Sequence, residues 1–372
     1  MGLIPDTNVL VDYSSILDKD IIIPYCVLDE LDNLKKDNKI GYKVREVVRK
    51  IIKKGVKCKK FNKVNRESKT DDELLKIAQY YNHKIITQDC LMYKKGKSRG
   101  INIELFQNNK KTYTGVIKGK LSSKTINDLH EKKYIKTERD LYENQFFDAG
   151  KIIARYKNGY LHKVDWSKRV NGIDKPTKRQ LMALDVLFDE DIDLVTIFGG
   201  QGSGKTTLSL NSAISQVVSE STKYDRIILS RPKKQRGIDE GMGYLPGEIE
   251  DKYKPFNAPF YDNLYSQCDP LMIEVLPLAS IQGRSLDNAI WIITEFQDIS
   301  PDDTKLILGR AGRNTKVILE GDLEQHSDNV LNKSYNGLTH VINNFKDDPK
   351  SATVELDENK RSYLSKMASR KL

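Results

Sequence analysis

Residues 194–210, LVTIFGGQGSGKTTLSL, constrain this chain more than any other stretch: an apolar run feeds a glycine-rich turn, and the turn opens a helix-forming segment. Gly199, Gly204, Lys205 and Thr206 satisfy the spacing G-x-x-x-x-G-K-[ST]. Glycines at these positions let backbone N–H groups curl around an anion, Lys205 reaches toward the β/γ-phosphates, and the Thr206 hydroxyl is placed to ligate Mg²⁺. The helix that follows turns its N-terminus to the same phosphates. A bare glycine turn satisfies the pattern as well. Here, however, Leu194, Val195, Ile197 and Phe198 precede it as a β-like run, and Leu208, Leu210, Ala213, Ile214 and Val217 follow at helical spacing. That is the strand–loop–helix context of a phosphate cradle. Gly199, Gly200, Gln201, Gly202, Ser203, Gly204, Lys205, Thr206 and Thr207 are therefore the candidate ATP-binding residues, with Thr206 as a candidate Mg²⁺ ligand.

Beyond the cradle, apolar runs recur at Ile227–Leu229, Ile273–Leu276, Ala289–Ile293, Val317–Leu319 and Ala352–Leu356. Their spacing predicts a doubly wound parallel sheet with helices on both faces. Polar residues stand just past several of these runs: Ser230-Arg231, Thr294-Glu295, and Asp322 with Gln325. In a P-loop fold such tips face the γ-phosphate, where an acid orients the attacking water. Glu295, after the apolar WII, is the expected base, and Arg231, Arg310, Arg313 and Arg361 are all candidates for the arginine that meets transition-state charge.

The front of the chain also alternates strands with helical patterns. Gly2–Pro5, Ile21–Pro24 and Lys84–Thr87 read as short buried strands of a parallel sheet. Val44, Val47, Val48, Ile51 and Ile52 form the apolar stripe of a helix whose lysines and arginines read as a solvated face rather than an RNA track. Acidic residues recur where the strands end: Asp6, Glu30, Asp71 and Asp89, with Thr70 and Glu73 matching a capping box around Asp71. Ligand sites of parallel sheets form at the carboxyl ends of strands. Four carboxylates gathered there repel one another by several kcal/mol unless hard cations sit between them, which predicts Mg²⁺ or Mn²⁺ and phosphodiester hydrolysis by metal-activated water.

Charge separates the parts. Of the net +10, residues 1–112 carry +9, residues 113–175 carry +6 and residues 176–372 carry −5. The division expected is an N-terminal domain over 1–112, a small β-rich basic connector over 113–175 with a hairpin turning at Asn158-Gly159, and the P-loop domain over 176–372. A polyanion such as nucleic acid is drawn first to the N-terminal part, although a lysine-rich solvated surface would carry the same charge. Aromatic residues of the connector (Tyr113, Tyr134, Phe146, Phe147, Tyr156, Tyr160, Trp166) either fill a small core, the favoured reading, or stack bases. Cys26, Cys58, Cys90 and Cys268 lie far apart with no C-x-x-C pair and little histidine nearby, which argues against zinc ligation and a disulfide framework and fits reduced thiols in a cytoplasm. With no apolar stretch near ~18 residues and no signal-peptide pattern, neither a membrane span nor export is expected.

On these motifs the chain resembles two known families. PDTNVLVD, VLDEL, TDDELLKIA and IITQD follow the acidic motifs of PIN-domain nucleases over nearly all of residues 1–110. The resemblance implies metal-dependent cleavage of single-stranded RNA with Asp6, Glu30, Asp71 and Asp89 as catalytic metal ligands, Asn8 supporting Asp6 and Asp72 an alternate for Asp71. The cradle, SRP (230–232), GYLPGEIEDK (243–252), PLASIQGRSLDNA (277–289), TEFQD (294–298), LEGDLEQ (319–325) and ENKRS (358–362) follow the order of PhoH-like ATPases. Joined, the halves look like fused PIN–PhoH proteins. That implies a RecA-like ATPase resembling superfamily-one helicase cores, ATP-driven RNA unwinding coupled to ribonuclease action, and a homo-oligomeric ring. By the same resemblance Gln180 contacts adenine and Arg361 meets nucleotide phosphate.

One departure stands out. The family usually carries Asp-Glu after the Walker B strand, and this chain has Thr294-Glu295. A threonine orients a metal-bound water but supplies no charge. Two other functions stay open: an ATP-gated RNA-binding protein with little hydrolysis, and a toxin-like ribonuclease with a regulatory ATPase. DNA as the strand acted on also stays open.

Overall fold

The computed structural model describes residues 2–36, 41–64, 69–106, 112–219, 222–232, 269–325, 333 and 336–358. The segment 243–252, Cys268 and Arg361 lie outside the described residues. The chain forms two compact units, Met1–Lys111 and Thr112–Leu372.

The first unit is a parallel α/β fold. Strand β1 (Leu3–Pro5) pairs with β4 (Lys84–Thr87), which pairs with β5 (Ile103–Leu105). Strand β2 (Ile22–Pro24) pairs with β3 (Lys57–Lys59), and a bridge between Leu3 and Ile21 links it to β1. Helices α1 (Thr7–Asp12), α2 (Tyr25–Leu34), α3 (Gly41–Lys54), α4 (Thr70–Tyr81) and α5 (Cys90–Ser98) close a core that includes Ile4, Leu10, Ile23, Leu31, Leu74, Leu75 and Ile85. Two local expectations change. Val44, Val47 and Ile51 of α3 are buried, but Ile52 is 74% exposed, because its angular position carries it off the stripe. The capping box at Thr70 does not form: α4 begins at Thr70 itself with Lys69 at the cap, and Glu73 instead lies beside Cys26, whose thiol is pushed up to about 12 by burial first and by the Glu73 carboxylate second.

The second unit holds two sheets. Strands β6 (Val116–Lys118), β7 (Tyr134–Lys136), β8 (Phe146–Asp148), β9 (Ile153–Lys157) and β10 (Tyr160–Lys163) form a mixed sheet in the order β6-β8-β9-β10-β7, with helix α6 (Ser123–Lys132) between β6 and β7 in the chain. The β9–β10 hairpin turns at Asn158 and Gly159, at φ 52° and 84°. Positive φ at both central residues is the geometry that Asn-Gly adopts readily. Phe146 and Phe147 are buried, whereas Tyr134, Tyr160 and Trp166 are exposed. Phe146, Ile153, Val164 and Val170 share one apolar cluster with the P-loop half, so the boundary expected after residue 175 falls inside a single compact unit.

The other sheet is entirely parallel among its six strands, in the order β13 (Ile273–Val275), β12 (Arg226–Ser230), β14 (Ala289–Ile293), β15 (Lys316–Gly321), β11 (Leu194–Phe198) and β16 (Ser351–Glu355). Every residue of β11, β14 and β15 is buried, as central parallel strands covered on both faces must be. Helices α7 (Lys178–Leu187) and α8 (Lys205–Val217) pack on the face that carries Val195, Ile197, Ile290, Ile292 and Ile318. Helices α9 (Pro301–Leu308) and α10 (Gly337–Phe345) pack on the opposite face, against Phe198, Trp291, Ile293 and Leu319. This is the doubly wound α/β sheet that the apolar runs predict. Among the described residues, no helix is long and apolar enough to cross a membrane.

Candidate functional sites

The cradle leaves the carboxyl end of β11 and enters α8, in the loop 199–204. Gly199 sits at φ 150°, its N–H donates to Gly321 O at 3.1 Å, and a Cβ there would lie 2.2 Å from the Leu356 carbonyl oxygen. Gly204 caps α8 at φ 90°, and a Cβ there would lie 2.9 Å from Gln180 Nε2. Only glycine fits either place without strain. Lys205 Nζ donates to the carbonyl oxygens of Gly199 and Gly200 at 2.6 and 3.1 Å, so the ammonium already lies over the loop. Thr206 Oγ1 donates to Glu320 Oε2 at 2.7 Å. Glu320 and Ser203 are buried, and Glu320 Oε1 and Ser203 Oγ have no hydrogen-bond partner. A loop closed to side chains and lined by unpaired buried polar atoms fits a triphosphate with its hard cation.

Gln180 reaches this loop from α7. Its Oε1 accepts from Thr177 N at 2.9 Å in a capping box, and its Nε2 donates to Ser203 O at 2.9 Å. The side chain expected at adenine is thus buried and tied to the cradle backbone at Ser203.

The neighbouring strand tips form one hydrogen-bonded rim. Glu295, at φ 54°, meets Arg231 Nη2 at 3.5 Å and accepts from Gln297 Nε2 at 2.7 Å. Gln297 Oε1 accepts from Asp322 N at 3.0 Å, and Asp322 Oδ2 accepts from Gln325 Nε2 at 3.0 Å. Gln325 Oε1 accepts from Gln201 Nε2 at 3.2 Å, which brings the rim back to the cradle. Gln297 escapes the sequence reading because nothing in FQD distinguishes a bridging carboxamide from a surface one. Ser230 has a different part: its hydroxyl donates to Leu276 O at 2.6 Å and accepts from Trp291 Nε1 at 2.8 Å, a buried structural tie. Of the four arginines, Arg231 stands on this rim. Arg310 and Arg313 precede β15 and accept through their carbonyls from Leu286 N and Asn288 N, at the sheet's opposite end.

In the first unit, Asp6 follows β1 and caps α1, with Oδ1 accepting from Thr7 N at 2.6 Å and Oδ2 from Thr87 Oγ1 at 2.9 Å. Thr87, the last residue of β4, also accepts from Asp89 N at 2.9 Å, and Asp89 caps α5. Thr7 Oγ1 donates to Glu30 Oε2 at 2.6 Å. Two threonines therefore tie Asp6 to Asp89 and to Glu30, the supporting work expected of Asn8, which is exposed. Burial, with Asp71 and Glu30 adding repulsion, pushes the Asp6 carboxyl up to about 6. Burial, then Asp89, Glu30 and Asp72, also raise Asp71. The four acids thus act on one another electrostatically. Among the described residues, no three acidic, histidine or cysteine side chains converge as a closed metal site. The all-carboxylate donor set has the chemistry of a hard divalent cation.

Comparison with known proteins finds two families along the chain. A PIN domain matches residues 3–107, and the PhoH-like protein family matches residues 172–367. Protein PhoH2 of Bacillus subtilis is 28% identical over 98% of this chain and 98% of its own length, and Protein PhoH2 of Thermobispora bispora is 27% identical over 99% and 95%. Among solved structures, the HK97 bacteriophage large terminase covers 55% of the chain and 45% of its own length at 16% identity and a TM-score of 0.32, too distant to bear on function. The family match spans more than half of the chain, and the chain belongs to the PhoH-like protein family, with a PIN domain ahead of its P-loop half.

Proposed function

We propose that the chain is an ATP-driven RNA helicase or translocase whose N-terminal domain cuts single-stranded RNA with a divalent metal. The observation that carries this reading is the presence, on one chain, of two anion-handling sites of different chemistry: the cradle with Lys205 and the Thr206–Glu320 pair, and the acids tied by Thr7 and Thr87. In the second unit, Gly199 to Thr207 would grip the triphosphate and Thr206 would ligate Mg²⁺, with Glu295 orienting the attacking water. Gln297 and Gln325 carry a change at that rim to Asp322 and the end of β15. In the first unit, Asp6, Glu30, Asp71 and Asp89 would hold Mg²⁺ or Mn²⁺. The ion would supply Lewis-acid stabilisation of the phosphodiester and a water of lowered pKa. A homo-oligomeric ring working on RNA in the cytoplasm completes the proposal.

Thr294 favours a second reading, an ATP-gated RNA binder with little hydrolysis. Phosphate release with and without single-stranded RNA separates them. RNA-stimulated multiple turnover supports the motor, and tight nucleotide binding without turnover supports the gate.

A further inference from the structure

Glu320 is the fifth residue of β15, the strand lying between the cradle strand β11 and β14. Ile197 registers with Glu320, and Ile293 registers with Leu319. The next residues along, Thr294 and Glu320, therefore stand level at the ends of neighbouring parallel strands. Level residues of parallel neighbours share a face of the sheet. Both belong with Ile292 and Ile318 to the face that α8 covers. The acid missing from position 294 is thus matched by an acid one strand over, on the same face and nearer the cradle.

Two further observations give that acid a task. Its Oε2 accepts a hydrogen bond from Thr206 Oγ1 at 2.7 Å, which leaves the hydroxyl lone pairs free for another partner. Its Oε1 is buried without a hydrogen-bond partner, in a residue 1% exposed. Burial works against the charge of a carboxylate so enclosed, and the Ser209 and Thr206 hydroxyls and the Lys205 ammonium offset that only in part, so a further cation beside it is favourable.

On the reading of the cradle as an ATP site, we infer that Glu320 is the positioning acid for the Mg²⁺ of the nucleotide complex. It fixes the Thr206 hydroxyl for metal ligation and supplies the negative charge that Thr294 does not. The Walker B acid has moved from β14 to β15.

Titration of a fluorescent ADP analogue into the full chain, with Mg²⁺ and with EDTA, tests this. Wild type binds more tightly with Mg²⁺. Glu320→Gln keeps the size and the acceptor, so affinity in EDTA stays unchanged, while Mg²⁺ affinity of the complex falls by about 10- to 100-fold. Metal-free Glu320→Gln unfolds at or above the wild-type temperature, because a buried charge has gone, whereas loss of a merely structural carboxylate would lower it. The double variant Thr294→Asp/Glu320→Thr returns the acid to β14 and restores the Mg²⁺ increment. A Glu320→Gln chain that keeps the full increment overturns the assignment and leaves the cradle reading standing. A wild-type chain that binds no nucleotide under either condition overturns both.

Discussion

Lys205 Nζ and the Gly199 carbonyl oxygen lie 2.6 Å apart, so the cation that would grip a triphosphate is folded onto its own loop. The contact holds the ammonium over the cradle at the cost of roughly one ordinary hydrogen bond, about 1 kcal/mol, when phosphate oxygens take it over. Lys205→Ala is expected to abolish RNA-stimulated ATP hydrolysis, measured as phosphate release. Unchanged turnover would reject the cradle as the hydrolytic site.

Glu295→Gln separates binding from chemistry. The carboxylate bonds to Gln297 and pairs with Arg231 on the rim. Nucleotide affinity should hold while kcat falls by about 10²- to 10⁴-fold, the usual scale for a removed base. A fall in affinity with kcat retained would make Glu295 a binding residue instead.

In the first unit, Asp6 predicts a pH dependence. Its carboxyl titrates near 6 in the fold against an ordinary 3.8, because it is buried beside other acids. A raised folded value contributes stability that is complete below about 4 and is lost as pH rises through 6. The component is at most about 3 kcal/mol. The unfolding midpoint of the metal-free chain should therefore fall between about pH 4 and 6 more steeply in wild type than in Asp6→Asn, and Mg²⁺ at about pH 7 should recover part of it in wild type only. Parallel pH profiles would refute the charged-site account.

Thr87→Val removes one hydroxyl that serves two acids, donating to Asp6 and accepting from Asp89 N. Leaving a buried acceptor unsatisfied costs about 1–3 kcal/mol. RNA cleavage should drop as if an acid had been touched, while ATP hydrolysis stays at the wild-type rate. Equal loss of both activities would point to misfolding.

Most of the second unit was readable because central parallel strands, buried on both faces, appear as unbroken apolar runs: β11, β12, β14 and β15 lie where those runs stand, and the edge strands β13 and β16 follow the same pattern. The cradle was readable because Gly199 and Gly204 need backbone angles and space that only glycine provides. What escaped follows from the same physics. Strand β3, Lys57–Lys59, is exposed along its length and reads as loop. Thr7 and Thr87 resemble any strand-end threonine until the fold sets them between carboxylates. Glu320 carries a signal in the sequence, a lone acid inside the buried run of Lys316–Gly321. Its partner Thr206 lies more than a hundred residues earlier, and only the strand order brings the two together.

The central claim is that one chain couples an ATP-driven motor to a metal-dependent cutter, and a gel of end-labelled single-stranded RNA with Mg²⁺, with and without ATP, tests it most directly. Wild type should cleave, and ATP should extend the cleavage. Lys205→Ala should lose the ATP effect alone, and Asp6→Asn should lose cleavage under both conditions. RNA left intact by wild type, or cut equally with and without ATP and by both variants, would contradict the account.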